Sequence, residues 1–416
     1  MKQFGIDESQ VRDLVGAVAV EPVEDEVAMA DLFARAAWTC ITEPGDGVAG
    51  MLVGSLGAST ALTALLETWT IEHLIGAVQD ASGVVDDDLA SRLDDGLQRW
   101  RHRLSSAEVI RVLKQSARVS AGLLVPGHRL WPRALNDLGD RTPIALWWRG
   151  VPNALLALEN AISLVGARAA TGYGEHVAME AAAGLVDRGF AIVSGAAYGI
   201  DGMAHRSALA SRGHTVAFLA GGVDRFYPSG HDELLSRIVS SGAVVSELPC
   251  GAAPTKWRFL ARNRLIAASS SATVVLEAGW RSGTINTAGH AAELGRPLGA
   301  VPGPVTSPNS AGCHKLLREY DAVCVTNAAE MAELAGSMTQ MAFDSFDDPE
   351  PQGAIGSGRT SEQVRVFDAL STRAPRPIPD LARRAGLSTG AVIGALGTLE
   401  MEGAVRLRES GWVRAR

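Results

Sequence analysis

The spacing of hydrophobic residues changes along the chain and divides it into regions of different structure. Up to about residue 130, apolar residues recur at helical spacing, as in EVAMADLFARAAWTCI and ASTALTALLETWTIEHLIGAV. From about residue 161, short apolar runs alternate with helical segments; the runs are AISLVGA, AIVSGA, TVAFLAGG, AVVSE, ATVVLEA, PLGAVPG and AVCVT. The first pattern predicts a helical domain, and the second predicts a parallel sheet whose strands are buried on both faces.

These patterns predict four segments. We expect a helical domain over 1–130 and a doubly wound α/β domain over 131–335. Residues 336–360 are acidic, rich in Pro, Gly and Ser and without period, which predicts a flexible linker. In 361–416, three helical stretches precede VRLRESGWVRAR, a predicted hairpin, and this order is typical of a winged helix.

Composition narrows the class of protein. With 416 residues, 47% of them hydrophobic, the chain can build two or three domains with cores. The four cysteines form no C-x-x-C pair and lie at no zinc-finger spacing from a histidine, so we expect reduced thiols and no metal site. The segment GVAGMLVGSLGASTALTALL is rich in small residues and predicts a helix–loop–helix, so we expect no membrane span and a cytoplasmic protein.

Charge is distributed unevenly. The chain has a formal net charge of −8, yet RFLARNR, residues 258–264, carries three arginines and follows Lys256. Arg262 and Arg264 flank Asn263, and helical residues two apart face different directions, so one carboxylate cannot pair with both. Guanidinium groups and an amide in a row suit a line of phosphates.

Two aromatic residues accompany these cations. Trp257 and Phe259 could offer stacking faces to nucleic-acid bases, although packing in the core is the commoner fate of phenylalanine.

The glycine-rich turn VGARAATGYG follows the first strand of the predicted sheet. Ligands of such sheets bind at the carboxyl ends of the strands, where Gly166 would let a phosphate approach a helix N-terminus. Arg168 could close over that phosphate or pair with a nearby carboxylate, and the turn alone does not decide between the two. The turn lacks G-x-G-x-x-G spacing and no acid ends the second strand, so we expect no NAD and no other cofactor.

Two further turns carry candidate chemistry. In SGAAYGIDGMAH, Asp201 is predicted to cap a helix, and His205 lies one helical turn later. An Asp–His pair beside Ser194 is a pattern of hydrolases. We do not favour a hydrolase, because the sequence has no G-x-S-x-G elbow. In EAGWRSGTINTAGH, SGT opens a helix with hydroxyls and free N–H groups, which predicts a second anion site. Thr284 and Thr287 fall on one face of that helix. Glu277, just before it, could orient an arginine of 258–264.

Seven motifs in order resemble the DNA-processing protein A (DprA, Smf) family over about 160–325. They are VGARAATGYG, IVSGAAYGIDGMAH, AGGVDRFYP, SELPCGAAP, RFLARNRLIA, EAGWRSGTINTA and GRPLGAVPGP. The resemblance implies an extended Rossmann-like doubly wound parallel sheet, with a helical, sterile-alpha-motif-like N-terminal domain and a C-terminal winged-helix domain. It implies a non-enzymatic homodimer that binds single-stranded DNA, protects it and loads RecA during natural transformation and recombination. The implied DNA pocket comprises Arg168, Ser194, Gly195, Lys256, Arg262, Asn263, Arg264, Ser282 and Gly283.

The chain departs from the family pattern at four positions. Leu260 stands where the family has proline, His314 where it has asparagine, and Tyr320 and Asp321 where it has Gly-Ala. These departures put the contacts at the last helix of the sheet domain in question.

Two other functions remain open. A nucleotide phosphoribohydrolase of related fold has the motif P-G-G-x-G-T-x-x-E, whereas Glu277 here precedes SGT. A duplex-DNA regulator would use the winged helix, but its recognition helix, STGAVIGALGTLEMEG, lacks Arg, Lys, Asn and Gln for reading bases.

Overall fold

A computed structural model describes residues 4–83, 88–336, 359–372, 374–408 and 410–415. Most of the predicted linker, residues 337–358, lies outside the described residues. The boundaries of the four predicted segments stay predictions.

Seven helices form the N-terminal region: α1 Glu8–Gly16, α2 Glu26–Ile41, α3 Gly47–Leu56, α4 Ala58–Leu66, α5 Ile71–Ser82, α6 Leu89–Arg101 and α7 Ser106–Arg118. Short polar side chains cap several of them, as where Asp46 accepts from the Ala49 amide. Trp38 and Trp100 are buried and meet edge to face with ring centroids 5.3 Å apart. The region also packs on the sheet, because the Trp147 indole donates to the Thr39 hydroxyl at 3.2 Å.

The predicted helix–loop–helix is present as α3 and α4. Within the described residues, no single helix is long and apolar enough to cross a membrane. Helices α3 and α4 reach that length and apolar character only when taken together, and they are bent by 109° relative to each other.

Nine strands form one sheet in the order β1-β2-β6-β5-β4-β3-β7-β8-β9. The pairs among β3 to β9 are parallel, as predicted, and the sequence missed that β1 and β2 extend the sheet in antiparallel fashion. The strands are β1 Gly122–Leu124, β2 Leu146–Gly150, β3 Ala161–Gly166, β4 Ala191–Ser194, β5 Thr215–Phe218, β6 Ala243–Ser246, β7 Ala272–Glu277, β8 Leu298–Ala300 and β9 Val323–Cys324.

Helices α8 to α15 connect and cover these strands. They are α8 Pro152–Leu156, α9 Gly172–Val186, α10 Ile200–Ala210, α11 Asp232–Ser241, α12 Lys256–Ala268, α13 Thr284–Glu293, α14 Ala311–Glu319 and α15 Ala328–Gly336. The sheet grows from β3 toward β6 on one side and from β7 toward β9 on the other, so the strand order reverses between β3 and β7. The carboxyl edge at this reversal is where such sheets bind ligands.

The C-terminal unit has the predicted winged-helix order. It contains α16 Ser361–Ala369, α17 Ile378–Ala385, α18 Thr389–Met401, β10 Val405–Arg408 and β11 Gly411–Arg414. Gly386 ends α17 in the left-handed region at φ 63°, and the Ser388 hydroxyl caps α18. This unit contacts the start of α12, where the Trp257 amide donates to the Asp368 carboxylate at 3.2 Å.

Glu43 lies where the three parts of the chain meet. Its carboxylate accepts two bonds from Arg258 of α12, at 2.7 and 2.9 Å, and one from Arg103. Arg103 also donates to the Arg383 carbonyl of the winged helix at 3.1 Å. Burial opposes the charged form of Glu43, but Arg258 and Arg103 outweigh it and hold the pKa of Glu43 well below its usual range.

Candidate nucleic-acid interface

Helix α12 presents one face to the carboxyl edge of the sheet. The Thr255 hydroxyl caps the helix by accepting from the Arg258 amide at 3.3 Å. Helical spacing places Lys256, Phe259 and Asn263 on a common face, because they lie three and seven residues apart. The other cations of this helix point elsewhere.

Two of the three arginines in 258–264 are neutralised by carboxylates from distant parts of the fold. Arg258 pairs with Glu43, and Arg264 is 4% exposed and pairs with both oxygens of Glu247 at 2.7 and 2.8 Å. Arg264 also donates to the Arg141 carbonyl at 3.0 Å. The charge of Arg264 is thus balanced inside the protein, and its predicted place in the phosphate pocket stays a prediction.

Arg262 ties α12 to the ends of β4 and β5. It is buried and donates to the Gly195 carbonyl at 2.9 Å and to the Phe218 carbonyl. Burial lowers the pKa of Arg262 to about 10, although Asp201 favours its charged form. The Arg262 guanidinium thus bonds to backbone carbonyls, and its predicted place in the lining of the DNA pocket stays a prediction.

The turn after β4 is bonded internally. The Ser194 hydroxyl donates to the Leu164 carbonyl at 2.6 Å, and the Gly195 amide donates to Asp201 at 3.1 Å. Both residues were predicted to line the DNA pocket; these polar groups have partners within the protein, and that role stays a prediction. A Cβ at Gly195 would lie 2.4 Å from the Arg262 guanidinium, so close packing requires glycine there.

Asp201 and His205 also differ from the sequence prediction. Gly199, not Asp201, is the N-cap of α10, and the buried Asp201 carboxylate turns back to accept from the Gly195 and Ala197 amides. Burial raises the pKa of Asp201, and Arg262 opposes that shift. His205 bonds to the Thr215 hydroxyl at 2.7 Å, and burial lowers its pKa to about 3. These partners keep His205 and Asp201 from forming a relay with Ser194.

The turns after β3 and β7 fit against each other. The Gly166 carbonyl accepts from the Thr284 hydroxyl at 3.0 Å, and a Cβ at Gly166 would lie 2.5 Å from Ile200. Glu277 accepts from the Thr171 amide at 2.9 Å and hydroxyl at 2.7 Å. The prediction that Glu277 orients an arginine is wrong, since it fixes the start of α9 instead.

Arg168 stands at the surface of this edge. Its guanidinium lies over the Phe259 ring, 5.0 Å from the centroid, and its side chain is exposed. Lys256 is exposed on the same face of α12. Within the part of the chain that the structure describes, no ion pair joins either residue to a carboxylate. Of the two roles left open for Arg168, the geometry favours an external anion over an internal carboxylate.

The turn after β7 completes the edge. The Ser282 hydroxyl accepts from the Thr284 amide at 3.2 Å, and Gly283, the N-cap of α13, is exposed with open space around it. The Asn263 amide donates to the Gly283 carbonyl at 3.4 Å and to Asn286 at 3.2 Å, so it links α12 to this turn. Thr287 is 2% exposed, and its predicted role at the anion site stays a prediction.

The sequence pattern missed the exposed aromatic residues of this edge. Trp257, a predicted stacking face, packs against Arg365 of the winged helix, and Arg168 covers Phe259. Among the described residues, the exposed aromatic side chains are Tyr173, Tyr198, Tyr227 and Trp280, between 44% and 52%. The sequence could have indicated their exposure, because they lie in or beside glycine-rich turns rather than in apolar runs.

The four departures lie around α12 and α14. Leu260 is half-buried on the Lys256 face of α12, and a His314 ring nitrogen lies 3.0 Å from the Gly303 carbonyl. Tyr320 lies under the Lys315 ammonium, 5.8 Å from its ring centroid, and Asp321 adopts φ 50°.

The fold and this edge define a class: a Rossmann-like α/β protein with an appended winged helix and an exposed cationic edge at its topological switch point. The chain belongs to the DNA recombination-mediator protein A family, because that family model matches residues 122–336. A second model, the DprA winged helix domain, matches residues 349–411. The family resemblance and fold class predicted from the sequence are thereby confirmed.

Individual relatives agree with this assignment. The putative DNA processing protein DprA of Mycobacterium tuberculosis (strain CDC 1551 / Oshkosh) is 45% identical over 300 residues, 70% of this chain and 76% of that protein. Protein Smf of Escherichia coli (strain K12) is 33% identical over 284 residues, 66% and 72% of the two chains. The X-ray structure of DNA processing protein A from Streptococcus pneumoniae is 27% identical and superposes with a TM-score of 0.54, covering 72% of this chain and 96% of that chain.

Proposed function

We propose that this protein binds single-stranded DNA at the carboxyl edge of its sheet, protects it and loads RecA onto it during DNA uptake and recombination. Arg168 carries the proposal: it is an exposed guanidinium at the strand-order reversal, held over Phe259, with no carboxylate to balance it among the described residues. A guanidinium in this position can donate two bonds to one phosphate. Membership of the DNA recombination-mediator family supports DNA as the source of that phosphate.

Other groups of the same edge would extend the site. Lys256 adds a second exposed cation, and Gly283 allows close approach of a backbone at the start of α13. Ser282 and Asn263 would orient this turn rather than contact DNA by their main polar groups, since those groups already bond within the protein. The site therefore needs few phosphates, and binding should show a modest salt dependence.

The overall charge supports binding at a local site. A net charge of −8 repels polyanions over most of the surface, so binding depends on the few exposed cations of the edge. We place this activity in the cytoplasm, where RecA works, and propose a homodimer as the working form.

The proposed activity is not enzymatic and needs no cofactor. A phosphoribohydrolase would need a carboxylate directed at the bound nucleotide, whereas Glu277 is 3% exposed and bonded to Thr171. Incubation with nucleoside monophosphates should release neither base nor ribose phosphate, and release of either would favour the enzyme.

The test is fluorescence anisotropy of labelled oligo-dT and of a matched duplex across a salt series. Arg168→Ala should weaken binding of oligo-dT about tenfold or more and reduce the salt slope by about one. The matched control is Arg188→Ala, which removes an exposed arginine just after the end of α9, at the opposite edge of the sheet.

Two results would contradict the proposal. One is failure of the wild type to bind oligo-dT, and the other is equal binding by wild type and Arg168→Ala. RecA loading is tested by RecA filament assembly on DNA coated with single-strand-binding protein. The wild type should accelerate assembly and Arg168→Ala should not.

A further inference from the structure

Trp280 differs from every other tryptophan of the chain. All nine tryptophans lie in the described residues; eight are buried or half-buried, and Trp280 is 52% exposed. Its ring stands in the glycine-rich turn between β7 and α13. A large aromatic ring left open to water beside a ligand edge marks a binding surface, because core packing would have buried it.

The Trp280 turn adjoins the Arg168 turn. Strands β3 and β7 are neighbours, and Gly166 is in register with Glu277, so Arg168 and Trp280 follow the ends of adjacent strands by two and three residues. The segment at Asn309 joins the two turns. The side-chain amide of Asn309 donates to the Ala169 carbonyl at 3.5 Å, and the Pro308 carbonyl lies beside Gly279. The exposed ring therefore continues the candidate interface toward β8.

One side chain of α14 lies between the Trp280 ring and the ring of Tyr320. The Lys315 ammonium lies 5.4 Å from the Trp280 centroid and 5.8 Å from that of Tyr320, in cation–π contact with both. Tyr320 is one of the positions at which this chain departs from the family pattern. We call Trp280, Lys315 and Tyr320 the Trp280 platform.

We propose that the Trp280 platform stacks one unpaired base of the DNA strand held at Arg168. This inference rests on the proposed function and adds a second subsite to it. Every base has a π-face, so stacking tolerates any sequence, and the exposed Arg281 supplies positive charge for a flanking phosphate.

The platform also gives a reason for preferring single strands. Bases in a duplex are stacked on each other and cannot cover an indole face without being unpaired. A phosphate site alone would accept either form of DNA, since phosphates are common to both. The platform would therefore strengthen binding of a single strand and leave binding of a duplex nearly unchanged.

The experiment combines a protein variant with a modified oligonucleotide. Binding of fluorescein-labelled oligo-dT, of the same oligonucleotide with one abasic position moved along it, and of a matched duplex is measured by anisotropy. The proteins are wild type, Trp280→Ala, Trp280→Phe and Arg168→Ala. Met401→Ala is the matched control, because it removes an apolar side chain that is 84% exposed on the winged helix.

Trp280→Ala should weaken binding of oligo-dT roughly fivefold to 150-fold, the range that base–aromatic stacking gives, and Trp280→Phe should retain most of the affinity. One abasic position should weaken binding by the wild type and have no effect on Trp280→Ala, because the stacking partner is already missing. Since Trp280 is exposed, the variants should unfold at the wild-type temperature.

The outcomes separate this inference from the proposed function. If the wild type binds oligo-dT through Arg168 but Trp280→Ala binds equally well, the platform is refuted and the proposed function stands. Equal weakening for duplex and single strand, or an unchanged abasic pattern in Trp280→Ala, also refutes base stacking and points to a protein partner for the ring. If the wild type binds no single strand, both proposals fall.

Discussion

Replacing Glu43 by glutamine should destabilise the protein more than any surface change. The side chain of Glu43 is 6% exposed and those of its partners Arg258 and Arg103 are 13% and 12% exposed, so solvent screens the cluster little. Glu43→Gln removes the one negative charge and leaves two guanidinium groups buried together. Breaking a buried ion pair from one side costs about 3–5 kcal/mol.

The loss should be measured by urea unfolding. With a slope of about 2 kcal/mol per molar urea, a cost of about 4 kcal/mol lowers the midpoint of the first transition by about 2 M. The control is Glu21→Gln, because Glu21 pairs with Arg129 at 2.7 Å but is 51% exposed. Solvent screens that exposed pair, so Glu21→Gln should leave the midpoint close to that of the wild type.

The pH dependence gives a second check on Glu43. Its pKa is held below the ordinary value of 4.5, so its contribution is complete above that pH and is lost as the pH falls toward the lowered pKa. The difference between wild type and Glu43→Gln should therefore be constant near neutral pH and shrink below pH 4.5. A variant as stable as the wild type at pH 7, or a difference that grows in acid, would refute the reasoning.

Two further substitutions test the contacts that the structure gives Arg264 and Gly166. Arg264→Ala leaves the Glu247 carboxylate without its partner, so thermal unfolding should show a loss of about 3–5 kcal/mol, while the salt slope of DNA binding by the folded protein stays that of wild type. A reduced slope would return Arg264 to the phosphate site. Gly166→Ala places a Cβ 2.5 Å from Ile200 and should cost about 1–3 kcal/mol in urea unfolding, whereas Gly54→Ala, with open space around it in α3, should be neutral or stabilising. Equal stability of the two alanine variants would contradict the packing argument.

Most of the sheet could be predicted from the sequence because each buried strand is recognisable from its own short apolar run. Each apolar run became a strand. The first two strands were harder, since β1 has only three residues and β2 pairs with β6 in antiparallel fashion almost a hundred residues later. The register of such a pairing is set by packing across the fold, which no local pattern contains.

The candidate site was less predictable for the same reason. Spacing alone showed that Arg262 and Arg264 diverge, but not that one meets backbone carbonyls and the other Glu247. The partner of Arg258 lies 215 residues away in the N-terminal region. A motif identifies which residues are unusual, whereas only the fold decides which of them reach the surface.

On the proposed function, the division of the cations on α12 accounts for DNA binding at one edge of an acidic protein. Arg258 and Arg264 bind carboxylates, and Arg262 binds carbonyls at the ends of β4 and β5, so three cations fix the helix from several sides. That fixation sets the position of Phe259, over which Arg168 lies, before any ligand arrives. A cation held in place loses less conformational entropy on binding than a free arginine, which increases the affinity obtained from each phosphate contact. In the proposed function the interior arginines act through position, and their removal should lower the fraction of folded protein before it changes the intrinsic affinity of the edge.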